Sequence, residues 1–167
     1  MGMTPTVKWR AGLNSQNSAM GKVESFSRED AKTRRGRCMG RQLEYLANVA
    51  IDCGFQIHKE LGPGLLEAVY DRLLAKSIER RGLKIDRQKP VDIRFDGLVI
   101  KDAFRYDLLV EDRLLIELKS SENMMPVYGK QLLTYLRLMH LPLGLLMNFG
   151  APTFKMGLRR IVNNYHP

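Results

Sequence analysis

Cysteine and histidine are scarce in this chain, and that scarcity removes two classes of protein at once. Its 167 residues hold two cysteines, Cys38 and Cys53, and three histidines, His58, His140 and His166. These make neither a zinc-binding spacing nor a disulfide framework, and free thiols suit a reducing compartment. No apolar run approaches the roughly 18 residues that a membrane span needs. The first residues also lack the apolar stretch of a secretory signal. The expectation is a soluble, cytoplasmic protein with no membrane partner.

What is present supports a folded core. Hydrophobic residues make up 44% and charged residues 27%, and the length fits one domain with an extension better than two domains. The formal charge is +9, and residues 1–40 carry eight Lys/Arg against three acids. That segment is polar, with no apolar period and a basic run at Arg34, Arg35 and Arg37, so it reads as a disordered extension. A nucleic-acid-binding arm is one use for it. A solvated tail, or upstream sequence before a start at Met20 or Met39, is the reading that composition favours. Residues 41–167 form the expected domain.

Within the domain the apolar period changes. Leu43, Leu46, Ala47, Ala50, Ile51, Ile57 and Leu61 recur at helical spacing, which predicts a helix over 42–61. Gly62-Pro63-Gly64 breaks it, and a second helix is expected from Leu65 to Arg81 with Leu66, Val69, Tyr70, Leu73, Leu74 and Ile78 on one face. Beyond Gly82 the period becomes two. Val91, Ile93 and Phe95 lead into Asp96-Gly97, a strong hairpin signal, and then Leu98-Val99-Ile100. Strands are expected at 104–110 and 114–118, a helix at 126–139, a buried strand at 143–149 and a short helix at 155–163. The sum is an α/β domain with a mixed central sheet flanked by helices.

The chemistry gathers in Tyr106 to Lys119. Glu117 and Lys119 are two apart on a predicted strand, so they share a face while Ile116 and Leu118 take the other. Charges there are costly unless paired or metal-bound, and Asp107 interrupts the neighbouring strand in the same way. Spacing alone fits a structural salt bridge on a half-exposed hairpin equally well. Register separates the two readings. A two-residue loop at Glu111-Asp112 would set position 107 opposite 116, with Asp107 and Glu117 on opposite faces. A three-residue loop at 111–113, or a bulge, sets 107 opposite 117. The expectation is the odd-length loop or the bulge.

Asp107 followed by Glu117-Leu118-Lys119 resembles the signature of the PD-(D/E)XK nuclease superfamily, with Tyr106 in the place of the proline. Gly64-Leu-Leu-Glu67-Ala-Val-Tyr70 is similar to the motif that names its GxxExxY family. Gln131-Leu-Leu-Thr-Tyr135 resembles the QxxxY motif of RecB-like members. The resemblance covers about residues 42–163 and implies a restriction-endonuclease-like core. It also implies Mg²⁺ or Mn²⁺ held by Asp107, Glu117 and the carbonyl of Leu118, with Glu67 contacting metal directly or through water. Lys119 would orient or deprotonate the attacking water. Gln131 and Tyr135 would brace the site or touch substrate, and Tyr70 is either a substrate contact or a core aromatic. An upstream histidine serves as ligand in some relatives, but His58 reads better as a helix-face residue near the turn.

The implied activity is a metal-dependent nuclease, with DNA favoured over RNA. Two other readings stand beside it: a catalytically silent nucleic-acid-binding module on the same fold, and a structural or protein-interaction module, such as a homodimer through the apolar helix 42–61.

Overall fold

The computed structural model describes residues 28–163, with side chains from residue 40 onward. The expectations for the first 27 residues, and for Cys38 and His166, lie outside the described residues. Helix α1 runs Arg28–Leu61 and buries Leu46, Ala47, Ala50, Cys53 and Ile57. This is the stripe expected of 42–61, but the helix begins earlier, so the expected boundary at 40 falls inside it. Residues 28–41 have no apolar period and hence no burial signal. They are nonetheless rich in helix formers such as Glu29, Ala31, Lys32 and Arg34, and lengthening an existing helix needs no new nucleus. That stripe packs into the chain's own core, while Tyr45, Phe55 and Leu61 of the same helix stay exposed.

After the Gly62-Pro63-Gly64 break comes α2 (Glu67–Glu79). Its buried face is Tyr70, Asp71, Leu74, Ala75 and Ile78, rotated from the expected one. Val69 and Leu73 are left exposed, and Leu66 is 77% exposed. The strands follow as β1 (Ile85–Arg87), β2 (Pro90–Phe95), β3 (Leu98–Arg105), β4 (Leu108–Val110), β5 (Leu114–Lys119), β6 (Leu143–Asn148) and β7 (Leu158–Val162). Helix α3 (Pro126–Leu138) joins β5 to β6, and a one-turn α4 (Phe154–Gly157) precedes β7.

Five strands make the central sheet in the order β1-β4-β5-β6-β7. Only β5 and β6 are parallel neighbours; the other pairs are antiparallel. Leu108, Val110, Leu114, Ile116, Leu118, Leu145 and Met147 pack on α1 and α2. On the opposite face Leu109, Leu115 and Leu146 meet Leu132 and Leu136 of α3. Every residue of β6 is buried, as its uninterrupted apolar run requires. The mixed sheet flanked by helices is the architecture expected.

Three further elements differ from expectation. The span 104–110 is not one strand. β3 pairs with β2 in a separate two-stranded sheet, and β4 pairs with β1 and β5, so the chain changes sheets at Tyr106-Asp107. β1 carried no readable pattern, because three residues of Ile-Asp-Arg are too few to show a period. Residues 158–162 form an edge strand instead of continuing a helix. Gly157 stops α4 against the Asn148 carbonyl, where any Cβ would collide, and Arg160 then pairs with Glu44 of α1.

Candidate active site

The loop between β4 and β5 decides which side chains meet. Val110 pairs with Leu114, Leu109 with Leu115 and Leu108 with Ile116, so the loop is Glu111-Asp112-Arg113. It is the three-residue form, with Glu111 at φ 49° and Asp112 at φ 55°. Extending that register sets Asp107 opposite Glu117. Both then lie on the α3 side of the sheet with Leu109 and Leu115, and Lys119 follows by alternation. The Oδ2 atom of Asp107 accepts a hydrogen bond from the Leu118 N–H at 2.7 Å.

Glu117 is 4% exposed. Its Oε1 accepts from the Lys119 Nζ at 2.9 Å, and the same ammonium donates to the Leu118 carbonyl at 2.8 Å. Its Oε2 is buried with no hydrogen-bond partner among the described residues. Burial, reinforced by the neighbouring charge of Asp107, pushes the Glu117 carboxyl up to about 7 despite Lys119. Burial alone would pull Lys119 down. The hydrogen bond and charge of Glu117, with Glu67 and Asp107 behind it, outweigh that and hold the ammonium above its ordinary value. The site thus has three acids around one cation, and one acid oxygen has nothing to bind.

Glu67 reaches this field from the first turn of α2. Burial raises its carboxyl, Asp107 and Asp71 add to the rise, and Lys119 and the Ser120 backbone oppose it. The preceding loop is shaped by its own chemistry. Gly64 sits at φ 117°, a conformation open to glycine. The Tyr70 hydroxyl donates to the Gly62 carbonyl at 2.6 Å and accepts from the Leu65 N–H at 3.3 Å, and the Ser120 hydroxyl donates to the Leu65 carbonyl at 2.7 Å.

Not all of the expected residues gather here. Tyr70 is fully buried and stacks on Phe149 with ring centroids 4.4 Å apart. The ring has no surface for a substrate, so of its two readings the core aromatic is the one that fits. Gln131 donates to the Tyr135 hydroxyl at 2.7 Å, and Tyr135 stacks on Phe104 of β3. Among the described residues no hydrogen bond joins this pair to Asp107, Glu117 or Lys119; it ties the β2–β3 hairpin to α3. His58 is buried against Phe149 and Phe154 with Nε2 2.9 Å from the Ala151 carbonyl, the helix-side role expected of it.

Other residues at the site were not expected from the sequence. Gln88, at φ 50°, donates through its side chain to Asp107 Oδ1 at 3.0 Å and through its backbone to the Asp107 carbonyl at 2.9 Å. Asp107 is therefore gripped from both sides. Tyr128 of α3 lies 5.6 Å from the Lys119 ammonium, ring centroid to Nζ, within cation–π range. Asn148, a polar end to an apolar strand, bonds both the N–H and the carbonyl of Ser121 and so fixes the chain leaving Lys119. Gly150 packs on the same turn, where a Cβ would meet the Ser121 backbone. The polar Asn-Phe-Gly ending of an apolar run was the available clue to that clamp.

Among the described residues no three His, Cys, Asp or Glu side chains converge into a finished metal cage. What converges is a smaller set: the Asp107 and Glu117 carboxylates and the Leu118 carbonyl, all hard oxygen donors of the kind Mg²⁺ and Mn²⁺ take. The unpartnered Glu117 Oε2 and the raised Glu117 carboxyl are both what a carboxylate pair short of positive charge would show, so the residues fit a divalent cation.

An α/β domain whose mixed sheet brings two acids and a lysine together where the chain changes sheets belongs to the restriction-endonuclease-like class. The family model of the PD-(D/E)XK nuclease superfamily matches residues 44–161, and the chain belongs to that superfamily. No curated protein and no solved structure matches it. Among the described residues no helix is long and apolar enough to cross a membrane.

Proposed function

We propose that this protein is a divalent-metal-dependent nuclease that hydrolyses phosphodiester bonds, with DNA as the substrate to be tried first. One observation carries the reading: Asp107 and Glu117 share a face, and the buried Oε2 of Glu117 has no partner among the described residues. Asp107, Glu117 and the Leu118 carbonyl are the ligands for Mg²⁺ or Mn²⁺, with Glu67 at the margin as a direct or water-borne contact. A cation bound there supplies polarisation of the phosphate and a lowered pKa for water. Lys119 is held as an ammonium, so its part is that of a donor: it orients the attacking water and faces the negative charge that develops on the phosphate. Gln131 and Tyr135 act through the hairpin they anchor.

The spacing of Gly64, Glu67 and Tyr70 supports assignment to the GxxExxY branch, and each position has a physical reason. Gly64 allows the turn, Tyr70 ties it down, and Glu67 is thereby presented toward Asp107 and Lys119. Incubating the purified chain with single- and double-stranded DNA and with RNA in Mn²⁺, beside Glu117→Ala, tests the activity. Cleavage that vanishes in the variant is expected. Binding without cleavage by the wild-type protein would instead favour the silent nucleic-acid-binding module.

A further inference from the structure

A cavity adjoins the acids where α2 meets the end of β1. It is about 360 Å³ in volume and is lined by Glu67, Asp71, Arg72, Arg87, Gln88 and Asp107. That is roughly ten times the ~30 Å³ a water occupies, enough for a phosphate with its sugar. Arg87 ends β1 opposite Leu108, next to Asp107 at the same end of the sheet. Its guanidinium bonds Asp71 Oδ2. The Asp71 side chain is 8% exposed and that of Arg87 37%. A buried carboxylate therefore fixes an arginine whose remaining donors open onto the cavity, since guanidinium carries five N–H groups and Asp71 Oδ1 takes none of them. Arg72 is exposed on α2 and forms no ion pair with another described residue.

We infer that Arg72 and Arg87 form a subsite for a non-scissile phosphate of the substrate strand, adjacent to the bond that is cut. The inference rests on the nuclease reading and adds to it where the strand runs. An acidic centre repels a polyanion, and two arginines sharing a cavity with two of its acids supply the compensating charge. Arginine suits a phosphate because its planar donors can bind two oxygens at once. Asp71 is a positioning residue: it orients Arg87 and leaves its outer donors available.

The test is binding of a fluorescent single-stranded DNA oligonucleotide, with and without a 5′-phosphate, across a salt series and without divalent metal. The full-length chain is compared with Arg72→Ala, Arg87→Lys and, as a control at the far end of α2, Arg80→Ala. Arg87→Lys keeps the charge facing Asp71, and thermal melting verifies its fold. Arg72→Ala is expected to weaken binding roughly tenfold and to flatten the slope of log affinity against log salt by about 0.7. Arg87→Lys should weaken binding with little change in slope, and Arg80→Ala should change neither. A loss confined to the 5′-phosphorylated oligonucleotide would identify the ligand as a strand end, and an equal loss on both would identify an internal phosphate. If the wild type binds but Arg72→Ala matches it, or Arg80→Ala loses as much, the subsite is wrong while the nuclease reading stands. If the wild type binds no nucleic acid the subsite is wrong, and the nuclease reading falls with it only if the chain also cuts none in Mn²⁺.

Discussion

Two hairpins in this chain differ by one loop residue, and the difference decides whether a site exists. Between β2 and β3 the loop is Asp96-Gly97, with Phe95 paired to Leu98 and φ values of 47° and 77°, the pairing of a two-residue type I′ turn. Between β4 and β5 it is Glu111-Asp112-Arg113, with Val110 paired to Leu114. The first hairpin is largely exposed, with Phe95 76% open to solvent, and its register mainly organises a surface. The second is buried on both faces. There, a pairing slipped by one residue would send Leu108 and Val110 to the wrong side and separate Asp107 from Glu117.

Deleting Leu109 breaks the comparison most severely. With the three-residue loop and the Val110–Leu114 pair kept, Leu108 moves opposite Leu115 and Asp107 opposite Ile116, against the demand of the core. Cleavage is expected to fall to background and the melting transition to drop or lose cooperativity, as followed by circular dichroism. Replacing Glu117 with Gln keeps the register and removes the charge. Activity should fall on the order of a hundredfold or more, and the pH dependence of stability should change as well. Burial and Asp107 raise the folded carboxyl to about 7, above its value of about 4.3 in an unfolded chain. Between those values the folded state holds a proton that the unfolded state has lost. Metal-free stability therefore falls as pH rises through that window and levels off above it. Melting temperatures from pH 4 to 8 should show this fall in the wild type and a flatter profile in Glu117→Gln.

Smaller effects sharpen the contrast. Gln88→Ala removes one of the donors gripping Asp107 and should weaken Mn²⁺ binding by about 1 kcal/mol, or roughly fivefold, as read by titration calorimetry. Gly97→Ala forces a side chain into the left-handed region and should cost about 1 kcal/mol of stability in a denaturant melt. Because the first hairpin's turn lies outside the acid cluster, cleavage by that variant should match the wild type.

Much of this was legible in the residues, for physical reasons. Asp96-Gly97 announced its turn because few dipeptides adopt two positive φ values readily. The polar breaks at Asp107, Glu117 and Lys119 stood out because the strands around them are apolar, and the parity of the loop followed from requiring the two acids to meet. What escaped depended on partners distant in sequence. β1 exists because Ile85 to Arg87 meets β4, and no three-residue segment encodes that. The buried face of α2 includes Asp71, and a carboxylate is read as solvent-facing until Arg87 is seen against it. Gln88 is an ordinary polar residue until the chain's change of sheet at Tyr106-Asp107 brings Asp107 beside it.

Anomalous diffraction from crystals grown with Mn²⁺ tests the central claim most directly. The expected result is one strong peak shared by the carboxylates of Asp107 and Glu117, absent from crystals of Glu117→Gln. A peak bound elsewhere, or none between those two side chains at saturating Mn²⁺, would contradict it.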